Sequence, residues 1–285
     1  MNIKISVVIV TYNSSNNIHK LLDSLINNKS YINEVIIIEN NSPDKDKTQE
    51  VCIEYSKKIN LIFVNSYNVG FGKSCNTGAR RSDSSLILFL NPDTELQKNS
   101  LKILLSHMKK NKVNIIGGKA MNYNGKLHGS VVRSPNLFIA LFEFSNLGKL
   151  LNIHTAHQQF YYEDKNILES DIDQDVDAVS GAYLLITKKD FSKLKGFDEN
   201  IFMYLEDVDL CKRARDMGMK VVFCPHSIIW HIGGSSSTNK YKIRHQAWFD
   251  SRKYYIKKHF GFVANVLIRP LYIIEEFLLK KITNI

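Results

Sequence analysis

Ser85-Leu86-Ile87-Leu88-Phe89-Leu90-Asn91-Pro92-Asp93 is the stretch from which the fold can be read. An apolar run, Leu86 to Leu90, enters a turn that delivers one carboxylate. A run this short, apolar at odd and even positions alike, reads as a strand buried on both faces in the middle of a parallel sheet. Pro92 has no N–H for a ladder, so the strand ends there and Asp93 sits just past its carboxyl end. That edge is where open α/β sheets bind ligands.

Upstream, the same pattern recurs. Ile5–Val10 predicts a strand ending in Thr11-Tyr12-Asn13, and Ile18, Leu21, Leu22, Leu25 and Ile26 follow at helical spacing. Val35–Ile38 predicts a second strand, ending in Glu39-Asn40-Asn41-Ser42, and Thr48–Lys57 a helix. Leu61–Val64 ends in Asn65, and the glycine-punctuated loop Asn68 to Gly72 opens a further helix. Strands alternating with helices predict a parallel sheet with right-handed crossovers. All these polar caps then share one edge, which favours a ligand crevice over ordinary strand ends.

Downstream, Leu101, Leu104, Leu105 and Met108 mark a helix and Val113–Ile116 a strand. Pro135–Phe144 is apolar and aromatic. Ala178–Lys188 predicts a strand in which Gly181 allows close backbone approach. A helix from about Leu205 to Met217 is closed by Gly218, and Lys220–Cys224 is a strand. From Lys240 the chain is basic and aromatic, and Phe262–Leu279 is an apolar run interrupted by Arg269, Pro270, Glu275 and Glu276. Two readings of this tail stand: an amphipathic helix on a membrane surface, or a helix packed on the domain.

The 285 residues can bury a sizeable core, and a hydrophobic fraction of 44% with 23% charge is that of a globular protein. The net charge of +10 suggests an acidic partner: a nucleotide diphosphate, an anionic membrane or nucleic acid. General richness in Lys is the plainer explanation. Cys52, Cys75, Cys211 and Cys224 show no CxxC spacing, against a zinc ribbon or disulfide framework. Met1-Asn2-Ile3-Lys4 leads into a strand pattern rather than a signal peptide, so a cytoplasmic protein is expected, and no apolar run is long enough to span a bilayer.

Glu206-Asp207-Val208-Asp209-Leu210-Cys211 is the second informative stretch. On a helix, Leu210, Cys211, Ala214 and Met217 share the stripe of Asp207, so Asp207 is expected to face the core, with Asp209 and Asp216 outward. A carboxylate on an apolar stripe is costly unless paired or functional. His226 and His231 lie an odd number of residues apart, so one extended strand lets only one face a cleft. Gly72-Lys73-Ser74 ends like a phosphate-binding loop, but Tyr67 occupies the position of its first glycine. What remains is a helix N-terminus able to meet a phosphate.

Taken together, VVIVTYN (7–13), VIIIENNSPD (35–44), NVGFGKSCNTGAR (68–80), LFLNPDT (88–94), SGAYLLITK (180–188), GFDENIFMYLEDVDLCKR (196–213) and WHIGGSS (230–236) resemble the family-2 glycosyltransferases of GT-A fold, in the rhamnosyltransferase-like branch. The resemblance implies an α/β, mostly parallel, Rossmann-like sheet flanked by helices over residues 1–239, with a nucleotide-sugar-binding half (1–98), an acceptor and catalytic half (99–239) and a basic helical tail (240–285). It implies inverting transfer of a sugar, rhamnose among the candidates, from a nucleotide-diphosphate donor to an acceptor hydroxyl in cell-surface polysaccharide synthesis. Thr11, Tyr12, Asn13, Glu39, Asn41, Asn68, Gly70, Gly72, Lys73, Asn76, Asn91 and Asp93 are then expected at the donor. Glu39 departs from the family's usual Asp, which bears on the choice of base. Asp207 is the expected general base with Glu206 beside it, and Asp93 and His231 the expected ligands of Mn²⁺ or Mg²⁺. Expected partners are the donor, a saccharide or lipid-linked saccharide acceptor, and the membrane through 240–285, with no nucleic acid. The rival readings are a nucleotidyltransferase, whose glycine- and basic-rich loop Thr11–Ser15 lacks, and a non-catalytic nucleotide-sugar-binding protein.

Overall fold

The computed structural model describes residues 4–43, 46–110, 112–127, 129–145, 147–163, 165, 167–231 and 241–283. In chain order the first half holds β1 (Ile5–Thr11), α1 (Ile18–Asn27), β2 (Ile32–Asn40), α2 (Thr48–Ser56), β3 (Leu61–Ser66), α3 (Phe71–Arg81), β4 (Leu86–Leu90) and β5 (Thr94–Leu96). There follow α4 (Ser100–Lys110), β6 (Ile115–Met121), β7 (Val131–Val132), α5 (Leu137–Phe142), α6 (Leu147–Leu150) and α7 (Thr155–Phe160). Next are β8 (Gln174–Asp175), β9 (Ala178–Val179), β10 (Tyr183–Thr187), α8 (Lys188–Lys193), α9 (Glu206–Asp216), β11 (Val221–His231), α10 (Tyr241–His259) and α11 (Gly261–Thr283).

One sheet runs β3-β2-β1-β4-β10-β6-β11-β5. Its β3, β2, β1 and β4 are parallel, as the apolar runs predict, and β6 pairs with β11 in the same sense. The sheet is not parallel throughout. β10 runs antiparallel to both β4 and β6, and β5 runs antiparallel to β11. The expected strand 178–188 is split at Ser180–Ala182, and the strand expected at 220–224 continues to His231 past a register shift between Cys224 and Ile228. Alternation along β1 divides the interior: Val8 and Val10 join one apolar cluster, Ile5, Val7 and Ile9 the other.

The tail is a helical hairpin packed on the body. Arg252, 1% exposed, donates to the Phe144 carbonyl and to Glu275 (2.9 Å), and stands 4.3 Å over the Tyr272 ring. Tyr272 donates to the Ala140 carbonyl, and Trp248 meets Phe144 edge-on at 5.2 Å. Within the apolar stretch Pro135–Phe144, Ile139, Ala140 and Phe144 are therefore buried, the last two in contact with the tail, while Leu137 stays exposed. Among the described residues no helix is long and apolar enough to cross a membrane.

Candidate active site

The carboxyl ends of β1, β2 and β4 converge as their sequences predict. Asn13 and Asn41, just past β1 and β2, adopt left-handed backbone (φ 56° and 57°), a conformation asparagine tolerates, and so turn the chain out of the sheet. Buried Thr11 donates to Glu39 at 2.6 Å, and the Ser42 amide donates to the other Glu39 oxygen at 2.8 Å. Ser42 Oγ donates to that same oxygen and accepts the Asn13 amide at 2.6 Å. Glu39 thus braces the β1 and β2 turns from behind the cavity.

Gly70 fixes the approach of α3. Its φ is +91°, and a Cβ there would stand 2.2 Å from the Phe202 carbonyl oxygen. That carbonyl accepts the Phe71 amide at 2.9 Å. Asn76 holds the same junction from deeper inside, exchanging hydrogen bonds with the Phe197 backbone (2.9 Å each way). Lys73 reaches Glu199 at 3.4 Å, and Gly72 packs on Phe197.

Asp93 and His231 meet across the strands. Antiparallel pairing sets His231 opposite Thr94, and its Nε2 lies 3.2 Å from Asp93 Oδ1 and 3.4 Å from Asn91 Nδ2. Two cis ligands of an octahedral ion with bonds of about 2.1 Å stand about 3.0 Å apart, so this pair fits adjacent vertices of one Mn²⁺ or Mg²⁺. His226 turns away to the Asp171 carbonyl (2.7 Å), so only one of the two histidines faces the cleft. Gly233-Gly234-Ser235-Ser236 lies outside the described residues.

Asp207 opens α9. Its Oδ2 accepts the Gly181 amide and its Oδ1 the Val208 amide, both at 2.8 Å. The split between β9 and β10 is what frees the Gly181 N–H for this bond. Tyr204 and Leu205, immediately before the helix, both have positive φ (73° and 67°), a strained pair of the kind that collects at functional sites. Burial pushes Asp207 up, against the amides that lower it. Burial, then the Asp207 charge, push its neighbour Glu206 up to about 8.

Asp209 corrects the helix-face expectation. It is fully buried rather than outward, and Met217, expected inside, is 47% exposed. Arg213 donates to Asp209 at 2.8 Å, Lys258 at 2.5 Å, and His259 Nε2 lies 2.7 Å away. Although burial works the other way, His259, Arg213 and Lys258 hold Asp209 below its ordinary value. Lys258 also pairs with Asp198 (2.6 Å), which accepts from Tyr254 as well (3.0 Å). One lysine of the basic tail, Lys258, is thus engaged by two carboxylates of the body.

A cavity of about 460 Å³ unites these groups, within the range of small-ligand sites. Thr11, Tyr12, Asn13, Asn68, Gly70, Asn91, Asp93, Glu206, Asp207 and His231 all line it. Glu39, Asn41, Gly72, Lys73 and Asn76 do not. The wall also includes Asn40, read from the sequence only as part of a strand cap, and Phe202, Tyr204 and Arg244, for which no site role was expected. Arg244 donates to Tyr204 Oη at 2.8 Å, which brings the first turn of the tail to the cavity. A basic residue at the start of the tail was the only signal for it.

The model of glycosyl transferase family 2 matches residues 6–168, and that of the N-terminal domain of galactosyltransferase matches residues 165–241. The chain is 27% identical over 228 residues to rhamnosyltransferase WbbL of Escherichia coli K12, covering 77% of this chain and 80% of that one. It is 25% identical over 240 residues to the N-acetylglucosaminyl-diphospho-decaprenol L-rhamnosyltransferase of Mycobacterium tuberculosis, covering 79% and 75%. In fold it is similar to the mannosyltransferase PcManGT of Pyrobaculum calidifontis, solved with GDP-Man and Mn²⁺ (TM-score 0.59, 14% identity, 88% of this chain and 63% of that one).

Proposed function

The chain belongs to glycosyl transferase family 2 and has the GT-A fold, and we propose that it transfers a hexose-type sugar, rhamnose first among the candidates, from a nucleotide-diphosphate donor to a saccharide acceptor with inversion. The acceptor we propose is lipid-linked, in line with the decaprenol-linked substrate in the name of the mycobacterial relative. The observation that carries the reading is the pairing, in one cavity, of a backbone-held carboxylate, Asp207, with the Asp93–His231 pair.

In this reading the acceptor hydroxyl attacks the anomeric carbon, its oxygen forms the new glycosidic bond, and the carbon–oxygen bond to the diphosphate breaks. Asp207 takes the hydroxyl proton. The Gly181 and Val208 amides fix the carboxylate's direction, so the acceptor meets a base already aimed. Glu206, neutral near pH 7, spares Asp207 a second negative charge next to it. Thr11, Tyr12, Asn13, Asn68 and Asn91 take the donor's polar groups, and Glu39, Asn41, Gly72, Lys73 and Asn76 hold the loops that shape its pocket. Asp93 and His231 would hold Mn²⁺ or Mg²⁺, which neutralises charge building on the leaving diphosphate.

A panel of nucleotide sugars incubated with the purified chain and Mn²⁺ tests the reading. The expected result is metal-dependent release of nucleoside diphosphate with one donor favoured, and a thermal shift from the same donor. Release of sugar 1-phosphate instead would assign a nucleotidyltransferase, and binding without turnover a non-catalytic module.

A further inference from the structure

The outward face of α11 is the least explained surface of the molecule. Phe262, Val266, Leu267, Ile274, Phe277 and Leu278 are each half or more exposed, Phe262 at 81%. They are single residues or adjacent pairs three, four or seven residues apart, spacings that return to the same side of a helix, so they form one apolar face along a 23-residue helix, about 34 Å long. The opposite face is satisfied: Ala264, Ile268 and Tyr272 are buried against the body. Continuous exposed apolar surface on this scale marks an interaction site rather than ordinary surface scatter.

Charge decides the occupant. Both carboxylates of α11 are turned inward and neutralised, Glu275 by Arg252 (2.9 Å) and Glu276 by Lys253 (2.8 Å) and Lys280 (2.7 Å). The exposed charges left on α11 among the described residues, Arg269 and Lys281, are both basic. Lys281 lies at the end of the stripe itself, 5.5 Å over the Phe277 ring. An apolar face edged only by cations matches an anionic bilayer, where acyl chains take the apolar residues and headgroup phosphates the cations. A second copy of this helix would bring the same cations together without a carboxylate between them.

We propose that α11 lies in the interface of an anionic lipid bilayer, apolar face down, and so holds the cavity at the membrane surface. A second cavity, about 530 Å³, supports that orientation. It shares Phe202 and Ile243 with the Asp207 cavity and runs along α10, past Gln246 and Ala247, to Lys280 near the end of α11. The groove thus runs from the wall of the Asp207 cavity to the last turn of α11. Use of this groove by a lipid-linked acceptor rests on the transfer reading; the docking of α11 does not.

Flotation of the full chain with vesicles tests the docking. The wild-type chain is expected to float with phosphatidylglycerol-containing vesicles and to remain behind with phosphatidylcholine alone. Leu267→Asp with Phe277→Asp should reduce flotation at least about tenfold, and Arg269→Glu with Lys281→Glu should abolish the preference for anionic vesicles. Unchanged melting temperature and unchanged nucleotide-sugar hydrolysis in both double variants exclude misfolding, since none of the four residues lines the Asp207 cavity. The proposal is overturned if the wild-type chain fails to float, if the aspartate variant floats like wild type, or if sedimentation finds a dimer that the aspartates dissociate. A chain that floats but hydrolyses no nucleotide sugar would sink the transfer reading and leave this one standing.

Discussion

His231 Nε2 stands 3.2 Å from Asp93 Oδ1, joining the far end of β11 to the turn after β4. The two come from different halves of the chain, and only the β5–β11 pairing sets them face to face. A pair so placed either neutralises itself as an ion pair or shares a cation, and substitution separates the two. Asp93→Ala and His231→Ala are each expected to raise the Mn²⁺ concentration for half-maximal activity at least about tenfold. Melting temperatures measured without metal and nucleotide should fall by only a few degrees. A simple structural ion pair would instead lower stability and leave metal dependence unchanged.

Asp207→Asn keeps an oxygen for the Gly181 amide but cannot take a proton. Transfer should fall by about 10² to 10⁴-fold, with donor affinity, measured by titration calorimetry, within about twofold of wild type. Transfer at the wild-type rate would remove Asp207 from the role of base.

How far the sequence leads can be judged on single residues. Leu86–Leu90 and Ile5–Val10 are legible as central strands because burial on both faces leaves an uninterrupted apolar run. Their parallel direction is legible from the alternation of strands with helices, and β10, outside that regular alternation, goes unrecognised as antiparallel. Asp207 stands out in the sequence because a carboxylate near apolar positions is costly. Asp209 is misplaced for a related reason: helical spacing counts neighbours on one helix and cannot register Lys258 and His259 arriving from the tail. Of the two readings of the tail, packing on the domain holds for the buried face of α11, where Ala264, Ile268 and Tyr272 lie; the membrane reading of its outward face is the proposal made above.

The Asp209 cluster carries its own consequence. Asp209 is buried against Arg213, Lys258 and His259, so removing its charge leaves Arg213 without its carboxylate and Lys258 with Asp198 alone. Asp209→Asn should destabilise the chain by about 3–5 kcal/mol, read by chemical denaturation. Activity should be lost together with the fold, because the cluster ties α9 to the tail. An outward Asp209 would give a change near zero.

Glu206 makes stability depend on pH in a direction opposite to most carboxylates. Its folded pKa is raised, to about 8, above the unfolded value near 4.3, so the folded state binds the extra proton. The resulting stabilisation is fully present below the unfolded pKa and is lost as pH rises through about 8. Glu206→Gln keeps the shape and cannot ionise. The melting temperature of the wild-type chain should therefore fall between pH 6 and 9 more steeply than that of Glu206→Gln, with the variant the more stable at the alkaline end. Parallel melting profiles would mean that Glu206 is ionised in the folded protein, and Asp207 would then work beside a second full negative charge.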